Sequence, residues 1–361
     1  MIKSYKNLII QPFSKGEIRR AGSILRDYYF QRDLDQQQKK QLEDAQTLVQ
    51  YWRYLHLYPI NTLQKFFRDN LRELGYKDQS MIGQRLKKIA TISNKLRRIS
   101  GKLDSFQDIG GIRIILENIE QIDAFVNKLE QSKSKHIITL RNNYIQSPKE
   151  SGYRGIHYVC EALSQKAPEQ LKGLKIELQL RTLLQHYWAT AVESVGMFYG
   201  ESIKTGDGSK MWNEFFLAAS TAFACMENLP LPAAYENYSK TEIKNSLVSL
   251  ENQYSILPKL QAIQSVSLTY NQTGKIKFVS LIFYNQVDEK PRIEVFPHEG
   301  SEDKAIFFHK MIEQMERDHD PHGFVDAVLV KADTKHLKKV YSNYFLEIND
   351  FMENLDLFLS E

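Results

Sequence analysis

The stretch QDIGGIRIIL, residues 107–116, has the composition of a buried β-strand, yet it carries two charges. Asp108 stands at its start and Arg113 follows five residues later. Charged side chains rarely enter such a strand without a partner or a function. Five-residue spacing places the two on opposite faces of a regular strand, so a direct salt bridge would require a bulge at Gly110–Gly111. We therefore expect a strand whose charges serve a site, with a structural salt bridge as the alternative.

The sequence around this strand predicts a mixed sheet flanked by helices. Before it, the chain has helical periodicity, with Ser14 and Glu17 in a capping box and one apolar stripe formed by Leu86, Ile89, Ile92 and Leu96. After it come an amphipathic helix, the strands HIITLRNNYI, GYRGIHYVCEAL and LKIELQLRT, and two further helices. This order predicts an α/β (α+β) fold.

The composition changes near residue 265, after a helix expected near 242–264. A hairpin with a glycine-containing turn, short strands and terminal helices follow. We therefore predict two domains, residues 1–264 and residues 265–361, the second being a small α+β module.

The bulk composition is that of an ordinary globular protein. The chain has 361 residues, 42% hydrophobic and 25% charged, with a net charge of +4. Its two cysteines, Cys160 and Cys225, suggest neither a disulfide framework nor a cysteine-based zinc site. The N-terminus lacks a signal-peptide pattern and no apolar run could span a bilayer, so we expect a cytoplasmic protein without membrane anchorage.

Residues 85–102 contain seven cations and no carboxylate. A solvated helix face is the usual explanation for a run of charge, but such faces normally mix both signs. The alternative is a polyphosphate cradle, in which arginine grips phosphate or stacks on a base and lysine supplies a point charge.

Two later stretches combine strand patterns with polar chemistry. In SGYRGIHYV, residues 151–159, Tyr153 could stack on a base while Arg154 and His157 face phosphate or ribose. In IELQLRT, residues 176–182, Glu177, Gln179 and Arg181 share one strand face. Such a face suits metal binding or proton removal. The alternative for residues 151–159 is an ordinary turn followed by a half-buried strand. The alternative for residues 176–182 is a strand face that points to solvent.

In this order and spacing, the four segments resemble the RelA/SpoT-type pyrophosphotransferase domain over about residues 14–225. Four motifs carry the resemblance: R-x-K-x-x-x-[ST]-I-x-x-K, D-x-x-G-I-R, G-Y-R-x-x-H and E-x-Q-x-R-T. They are met respectively by Arg85, Lys87, Thr91, Ile92 and Lys95; by Asp108, Gly111, Ile112 and Arg113; by Gly152, Tyr153, Arg154 and His157; and by Glu177, Gln179, Arg181 and Thr182.

The resemblance implies a nucleotidyltransferase-like synthetase domain and a role for each motif. Arg85 and Arg113 would sandwich the adenine of the co-substrate ATP. Asp108 and Glu177 would bind Mg²⁺, and Glu177 would also activate the 3′-hydroxyl of the acceptor. The remaining ATP-binding residues would be Lys87, Thr91, Lys95, Gln179 and Arg181, and the acceptor-binding residues Tyr153, Arg154 and His157.

The reaction implied is transfer of the β,γ-pyrophosphate of ATP to that hydroxyl. Two acceptors stay open: the 3′-terminal adenosine of tRNA, as in the toxic branch of the family, and GDP or GTP, as in the enzymes that make (p)ppGpp. QRLKKIATISNKLRR and LQHYWATAVESVG look more like the toxic branch. A catalytically degenerate binding protein is a third possibility, which the presence of both Asp108 and Glu177 disfavours.

The C-terminal segment adds a regulatory hypothesis. VYSNYFLEINDF, residues 340–351, is similar to the segment that blocks the ATP site in fused toxin–antitoxin proteins of the CapRel type, and Tyr341 and Tyr344 form its Y-x-x-Y pair. An acidic amphipathic tail follows, and its apolar stripe consists of Ile348, Phe351, Met352, Leu355 and Phe358. The resemblance implies an autoinhibitory module released by a trigger such as a phage protein. A terminal helix that packs on its own module is the alternative.

Overall fold

The computed structural model describes most of the chain. The described residues are 13–163, 167–199, 203, 206, 208–261, 278–284, 292–298, 325–331 and 348–361. Tyr341, Tyr344 and the predicted domain boundary near residue 265 lie outside these ranges. The division into residues 1–264 and 265–361 therefore stays a prediction.

Within the described residues, eight α-helices and eight β-strands are numbered in chain order. The helices α1 to α8 are Lys15–Tyr28, Gln36–Leu55, Leu57–Glu73, Ile89–Arg98, Ile119–Glu130, Leu183–Tyr199, Lys210–Met226 and Lys240–Tyr254. The strands β1 to β8 are Met81–Leu86, Gly110–Leu116, Ile137–Asn143, Ile156–Glu161, Lys175–Thr182, Phe278–Tyr284, Arg292–His298 and Val325–Lys331. Residues 256–261 and 348–360 are also helical, and we call the latter the C-terminal helix.

Strands β1 to β5 form one mixed sheet in the order β1-β2-β5-β4-β3. Strands β2 and β5 run parallel, whereas the other three pairings are antiparallel. The apolar face of β2 and β5 is buried, and α3 and α5 pack on these two strands. This arrangement confirms the predicted α+β class with a mixed sheet flanked by helices.

The helix predicted through Leu86 is wrong at its start, because Met81–Leu86 is the edge strand β1. It pairs antiparallel with β2 from Met81↔Ile115 to Leu86↔Gly110. Helix α4 begins only at Ile89. Leu86 happens to fit the 3.6-residue spacing of the apolar residues of α4. Backbone pairing with β2 nevertheless makes Leu86 part of a strand.

The two glycines of β2 make no bulge, since the register with both neighbouring strands is continuous. Gly110 instead permits close packing. A Cβ there would lie 2.9 Å from Ile60 Cδ1 and 3.1 Å from Ile176 Cγ2, too close for an undisturbed core. A Cβ on Gly111 would meet only ordinary contacts, the nearest being Arg85 Cγ at 3.4 Å.

Two compact units divide the chain in an interleaved way. Unit 1 comprises Met1–Tyr144 and Gly155–Leu183, and contains the five-stranded sheet. Unit 2 comprises Ile145–Arg154 and Leu184–Glu361. It contains α6 to α8, an antiparallel three-stranded sheet of order β7-β6-β8, and the C-terminal helix.

The C-terminal helix contributes to the core of unit 2. The side chains of Ile348, Phe351 and Phe358 are fully buried, as expected for the predicted apolar stripe. The ring of Phe351 contacts three aromatic rings of α7, with centroid distances of 5.5 Å to Phe223, 5.8 Å to Phe216 and 6.2 Å to Phe215.

The end of the C-terminal helix is tied to α8. Lys240 Nζ binds Glu361 Oε2 at 2.5 Å, and Lys244 Nζ donates to the carbonyl of Leu359. The tail therefore packs against helices that precede residue 265. Within the described residues, no helix is both long and apolar enough to cross a lipid bilayer.

Candidate active site

One face of the five-stranded sheet in unit 1 collects polar side chains from four strands. Residues directly opposite each other in paired strands share a face. Gly111 lies opposite both Arg85 and Glu177, while Gln179 lies opposite both Arg113 and His157. Six candidate residues therefore stand on this face: Arg85, Arg113, His157, Glu177, Gln179 and Arg181.

A chain of hydrogen bonds runs across this face. His157 Nδ1 lies 3.0 Å from Glu177 Oε1, and Gln179 Nε2 donates to Glu177 Oε2 at 2.6 Å. Arg181, which is 1% exposed, donates from Nη2 to Gln179 Oε1 at 3.3 Å. The alternation of β5 thus places three predicted residues in direct contact, and β4 adds the histidine.

The hydrogen bonds fix the ionisation of Glu177. Burial alone would raise its pKa, but hydrogen bonds from His157 and Gln179, together with the positive charge of Arg85, lower it to about 2. The carboxylate is therefore ionised at neutral pH. Both of its oxygens are already bonded in this state.

Asp108 forms the second cluster, and its partners are lysines. Lys87 Nζ and Lys95 Nζ lie 2.5 Å and 2.6 Å from Asp108 Oδ2. Burial opposes ionisation of the carboxyl, but the two ammonium groups prevail and lower its pKa. Burial lowers the pKa of Lys87 as well. The acid of QDIGGIRIIL thus pairs with cations of the basic segment, and the cations of residues 85–102 are not all solvated.

Helix α4 positions Lys95 for its contact with Asp108. Ile92 and Leu96 are buried, and Lys95, on the flank of that stripe, is half-buried with its ammonium 4.6 Å from the centre of the Phe106 ring. Lys95, Arg97 and Arg98 stand in the last turn, where the helix dipole favours positive charge. Thr91 is exposed on the same helix.

The donor set around Asp108 and Glu177 is compatible with Mg²⁺. Asp108 Oδ1 is buried and has no hydrogen-bond partner, so one carboxylate oxygen is available to a cation. No group of three or more metal-binding side chains occurs within the described residues. Mg²⁺ is commonly held by one or two carboxylates together with water and substrate phosphates. The two carboxylates would therefore hold the ion jointly with a bound triphosphate.

The acceptor-loop candidates Tyr153 and Arg154 belong to unit 2, in the segment 145–154. The ring of Tyr153 is only 2% exposed. It lies 6.4 Å from the ring of Trp188 between centroids, and Lys149 Nζ lies 5.3 Å from its centre. In this conformation the ring is covered, and stacking on a base requires it to be uncovered.

Arg154 makes contacts with backbone rather than an open cationic surface. It is 3% exposed, and its guanidinium donates to the carbonyl of Ile145 at 2.9 Å and to that of Pro230 at 2.6 Å. Burial lowers its pKa to about 10. In this structure the side chain therefore links the two ends of the segment 145–154 and links this segment to the loop after α7.

Gly152 anchors the same segment to α7. Ser220 Oγ donates to the Gly152 carbonyl at 2.5 Å. The glycine has φ +85°, and a Cβ there would lie 2.8 Å from Ser220 Cβ. Both the backbone conformation and the space therefore require glycine.

Residues outside the four motifs also shape the site. Tyr144 packs edge-on against His157 with centroids 5.3 Å apart, and Arg53 contacts the backbone of Lys87. Trp188 Nε1 donates to the carbonyl of Phe216 and so joins α6 to α7. Trp188 lies in the HYWATAVE match, but nothing in the local sequence distinguishes Arg53 or Ser220, because their partners are distant in the chain.

The clustered cations and two acidic side chains of unit 1 are the chemistry expected of a nucleotide-binding class of site. Residues 84–202 match the family described as "Region found in RelA / SpoT proteins". The chain is thus similar to this family over residues 84–202. The match spans all four motifs recognised in the sequence.

Two proteins of Bacillus subtilis (strain 168) show the similarity at the level of sequence. The GTP pyrophosphokinase YwaC is 27% identical over 162 residues, which cover 41% of this chain and 76% of YwaC. The GTP pyrophosphokinase YjbM is 34% identical over 122 residues, which cover 33% of this chain and 57% of YjbM. The crystal structure of small alarmone synthetase 2 from Bacillus subtilis superposes with a TM-score of 0.41 and 25% identity, covering 49% of this chain and 92% of that one.

Proposed function

We propose that the chain is an ATP-dependent pyrophosphokinase that transfers the β,γ-pyrophosphate of ATP to a 3′-hydroxyl. The observation that carries this proposal is the single sheet face that holds Arg85, Arg113 and Glu177, with the Lys87–Asp108–Lys95 cluster in the same unit. The names of its relatives, GTP pyrophosphokinases, support the same class of reaction.

The cations in unit 1 suit the charge that develops during this transfer. Pyrophosphoryl transfer depends on positioning and on neutralising negative charge, and Lys87 and Lys95 supply two ammonium groups beside a carboxylate. Arg85 and Arg113 would hold the adenine. Mg²⁺, held by Asp108 and Glu177, would supply further neutralisation of the phosphates.

Glu177 would receive the acceptor hydroxyl. With a pKa of about 2 it is a weak base in this state, because His157 and Gln179 occupy its oxygens. Exchange of the His157 contact for the acceptor hydroxyl would raise the pKa of Glu177 and make it a stronger base. Tyr153, once uncovered, would stack on the acceptor base.

We propose the 3′-terminal adenosine of tRNA as the acceptor, so that the activity inhibits translation in the cytoplasm. The support is the resemblance of residues 84–98 and 184–196 to the toxic branch of the family. GDP or GTP is the second candidate, with (p)ppGpp as product, and the names of both relatives favour it.

The test supplies the full chain with ATP labelled in its β-phosphate and offers GDP, GTP or deacylated tRNA. Label on tRNA that is lost with Glu177→Gln supports the first acceptor, and label on GDP or GTP supports the second. Glu169→Gln is the matched control, because Glu169 is exposed and its salt bridge within the described part of the chain is to Lys172. If no acceptor gains label and no AMP is released, a catalytically degenerate binding protein becomes the better explanation.

We further propose that Tyr341 and Tyr344 restrain the enzyme, as in the fused toxin–antitoxin proteins that the segment 340–351 resembles, and that a trigger such as a phage protein releases it in antiviral defence. The test is the double substitution Tyr341→Ala and Tyr344→Ala in the full chain. We expect faster pyrophosphate transfer, whereas Tyr238→Ala, at a tyrosine that is 45% exposed, should leave the rate unchanged. An unchanged rate in the double variant contradicts the restraint.

A further inference from the structure

The backbone of Lys87 is held at both of its polar groups. Its N–H donates to the carbonyl of Ile109 at 2.8 Å, which extends the β1–β2 ladder by one residue. Its carbonyl accepts from Nε of Arg53 at 2.6 Å. Lys87 is therefore fixed at the junction where β1 ends and the chain turns into α4.

The carbonyl of Lys87 needs such a donor because the helix does not supply one. Lys88 is the N-cap of α4, and its own carbonyl accepts from the N–H of Ile92. The Lys87 carbonyl lies one residue before that pattern. A buried carbonyl without a donor is costly, and Lys87 is only 8% exposed.

Arg53 reaches this carbonyl from α2 in a fixed orientation. Its Nη1 also donates to the side-chain oxygen of Gln50, one turn earlier in the same helix. Burial lowers the pKa of Arg53, so its position among partly buried groups carries a desolvation cost. Two hydrogen bonds to acceptors on different elements offset that cost.

We propose that Arg53 is a positioning residue for the phosphate-binding lysine: by holding the Lys87 carbonyl it sets the direction in which the Lys87 ammonium approaches Asp108 and a bound triphosphate. The proposal rests on the pyrophosphokinase function proposed above. Arg53 itself touches neither Asp108 nor Lys95 among the contacts recorded for the described residues.

The kinetic test compares Arg53→Gln and Arg53→Lys with Arg19→Gln in the full chain. Arg19 is the matched control, because it also ties two elements of unit 1, through Asp104 at 2.8 Å, and has no recorded contact with Lys87. We expect Arg53→Gln to lower kcat/KM for ATP by about 10- to 100-fold, as loss of a supporting contact commonly does. Arg53→Lys, which restores one donor, should recover part of the loss, and Arg19→Gln should stay within about two-fold of wild type.

A second measurement separates this proposal from the proposed function. Acetylation of lysines with a water-soluble N-hydroxysuccinimide ester, followed by mass spectrometry, reports the accessibility of Lys87 whether or not the protein is active. We expect Lys87 to be labelled faster in Arg53→Gln than in wild type, whereas the labelling of Lys172 should be unchanged. The melting temperature of Arg53→Gln should equal that of Arg19→Gln. If wild type has no transfer activity but this labelling change occurs, the function fails and the positioning role stands.

Three results would overturn the positioning role. One is an unchanged kcat/KM in a folded Arg53→Gln variant of an active enzyme. Another is unchanged labelling of Lys87. The last is a loss of activity in Arg53→Gln that parallels a fall in its melting temperature and that is not smaller in Arg53→Lys. This result would make Arg53 a purely structural contact.

Discussion

His157 Nδ1 lies 3.0 Å from Glu177 Oε1, and this contact joins two motifs that are 20 positions apart in the chain. It exists because β4 and β5 are antiparallel neighbours in which His157 pairs with Gln179 and Val159 with Glu177. His157 and Glu177 thus face the same side of the sheet two residues apart along the strands. His157 of the acceptor motif and Glu177 of the acidic motif therefore belong to one polar cluster in unit 1.

This contact makes a prediction about ionisation. Substituting His157 by Phe removes the donor to Glu177 while burial, which raises the pKa, remains. We expect the pKa of Glu177 to rise from about 2, and Gln179 alone to sustain only part of the original depression. The measurement is a ¹³C carboxyl titration by NMR from pH 2 to pH 7 on glutamate-labelled protein.

The same pKa sets the direction of acid destabilisation. Because the folded pKa of Glu177 lies below its ordinary value of 4.5, the group adds stability that is complete above about pH 4.5 and is lost as the pH falls through about 2. His157→Phe should reduce this pH-dependent part of the unfolding free energy. A titration of Glu177 near pH 4.5 in the wild type would contradict both expectations.

Glu177→Gln tests the centre of the proposed chemistry. Loss of a positioned base commonly lowers a rate by about 10²- to 10⁴-fold, and we expect a fall of that size in kcat. The melting temperature should change by only a few degrees, since glutamine preserves the shape of the side chain. Wild-type turnover in this variant would remove Glu177 from the reaction.

Gly152 offers a test of the acceptor loop with an internal control. Gly152→Ala and Gly173→Ala both place alanine at positive φ, +85° and +73° respectively, and each should cost about 1–2 kcal/mol from that conformation. Only Gly152→Ala also meets Ser220, at 2.8 Å, whereas a Cβ on Gly173 has no neighbour within 4 Å.

We therefore expect Gly152→Ala to be the more destabilising of the two and to raise KM for the acceptor, because the segment that carries Tyr153 must move from Ser220. Urea unfolding and acceptor-dependent kinetics measure the two effects. Equal unfolding free energies and equal KM values would show that the contact with Ser220 does not anchor the loop.

Phe351→Ala tests the role of the C-terminal helix in unit 2. Phe351 is fully buried among Phe215, Phe216 and Phe223, and truncation of such a side chain costs about 3–5 kcal/mol. Leu357→Ala, at a residue that is 51% exposed on the same helix, should change the unfolding free energy by less than about 0.5 kcal/mol. Thermal or urea unfolding measures both.

Because α7 carries Phe216 as well as Ser220, Phe351→Ala should also weaken acceptor binding. This expectation matters for any truncation experiment. Removing the C-terminal helix uncovers three phenylalanines of α7, so loss of activity after truncation would report damage to the core as well as any change in restraint. Unchanged stability in Phe351→Ala would contradict the packing described here.

Much of unit 1 could be predicted from local sequence patterns. The two-residue alternation of IELQLRT places Glu177, Gln179 and Arg181 on one face, and the structure has them hydrogen-bonded in that order. The capping box at Ser14 and Glu17 forms as predicted. Alternation and capping depend on neighbours within a few residues, which is why sequence alone determines them.

Other features depend on contacts between distant residues, and only the tertiary structure decided them. Leu86 continues a helical apolar pattern but lies in β1, because its backbone pairs with Gly110. The guanidinium of Arg154 could bind phosphate, yet in this structure it donates to the carbonyls of Ile145 and Pro230.

Sequence by itself determined that GGIRIIL is a strand, and the odd spacing of Asp108 and Arg113 argued against a direct pair. The strand is shorter than QDIGGIRIIL, because β2 begins at Gly110 and Asp108 lies two residues before it. The tertiary structure decided their surroundings: Asp108 binds Lys87 and Lys95, and Arg113 stands in register with Gln179. The physical reason is that side-chain direction follows from the local backbone, whereas the groups that a side chain meets follow from how strands and helices are brought together.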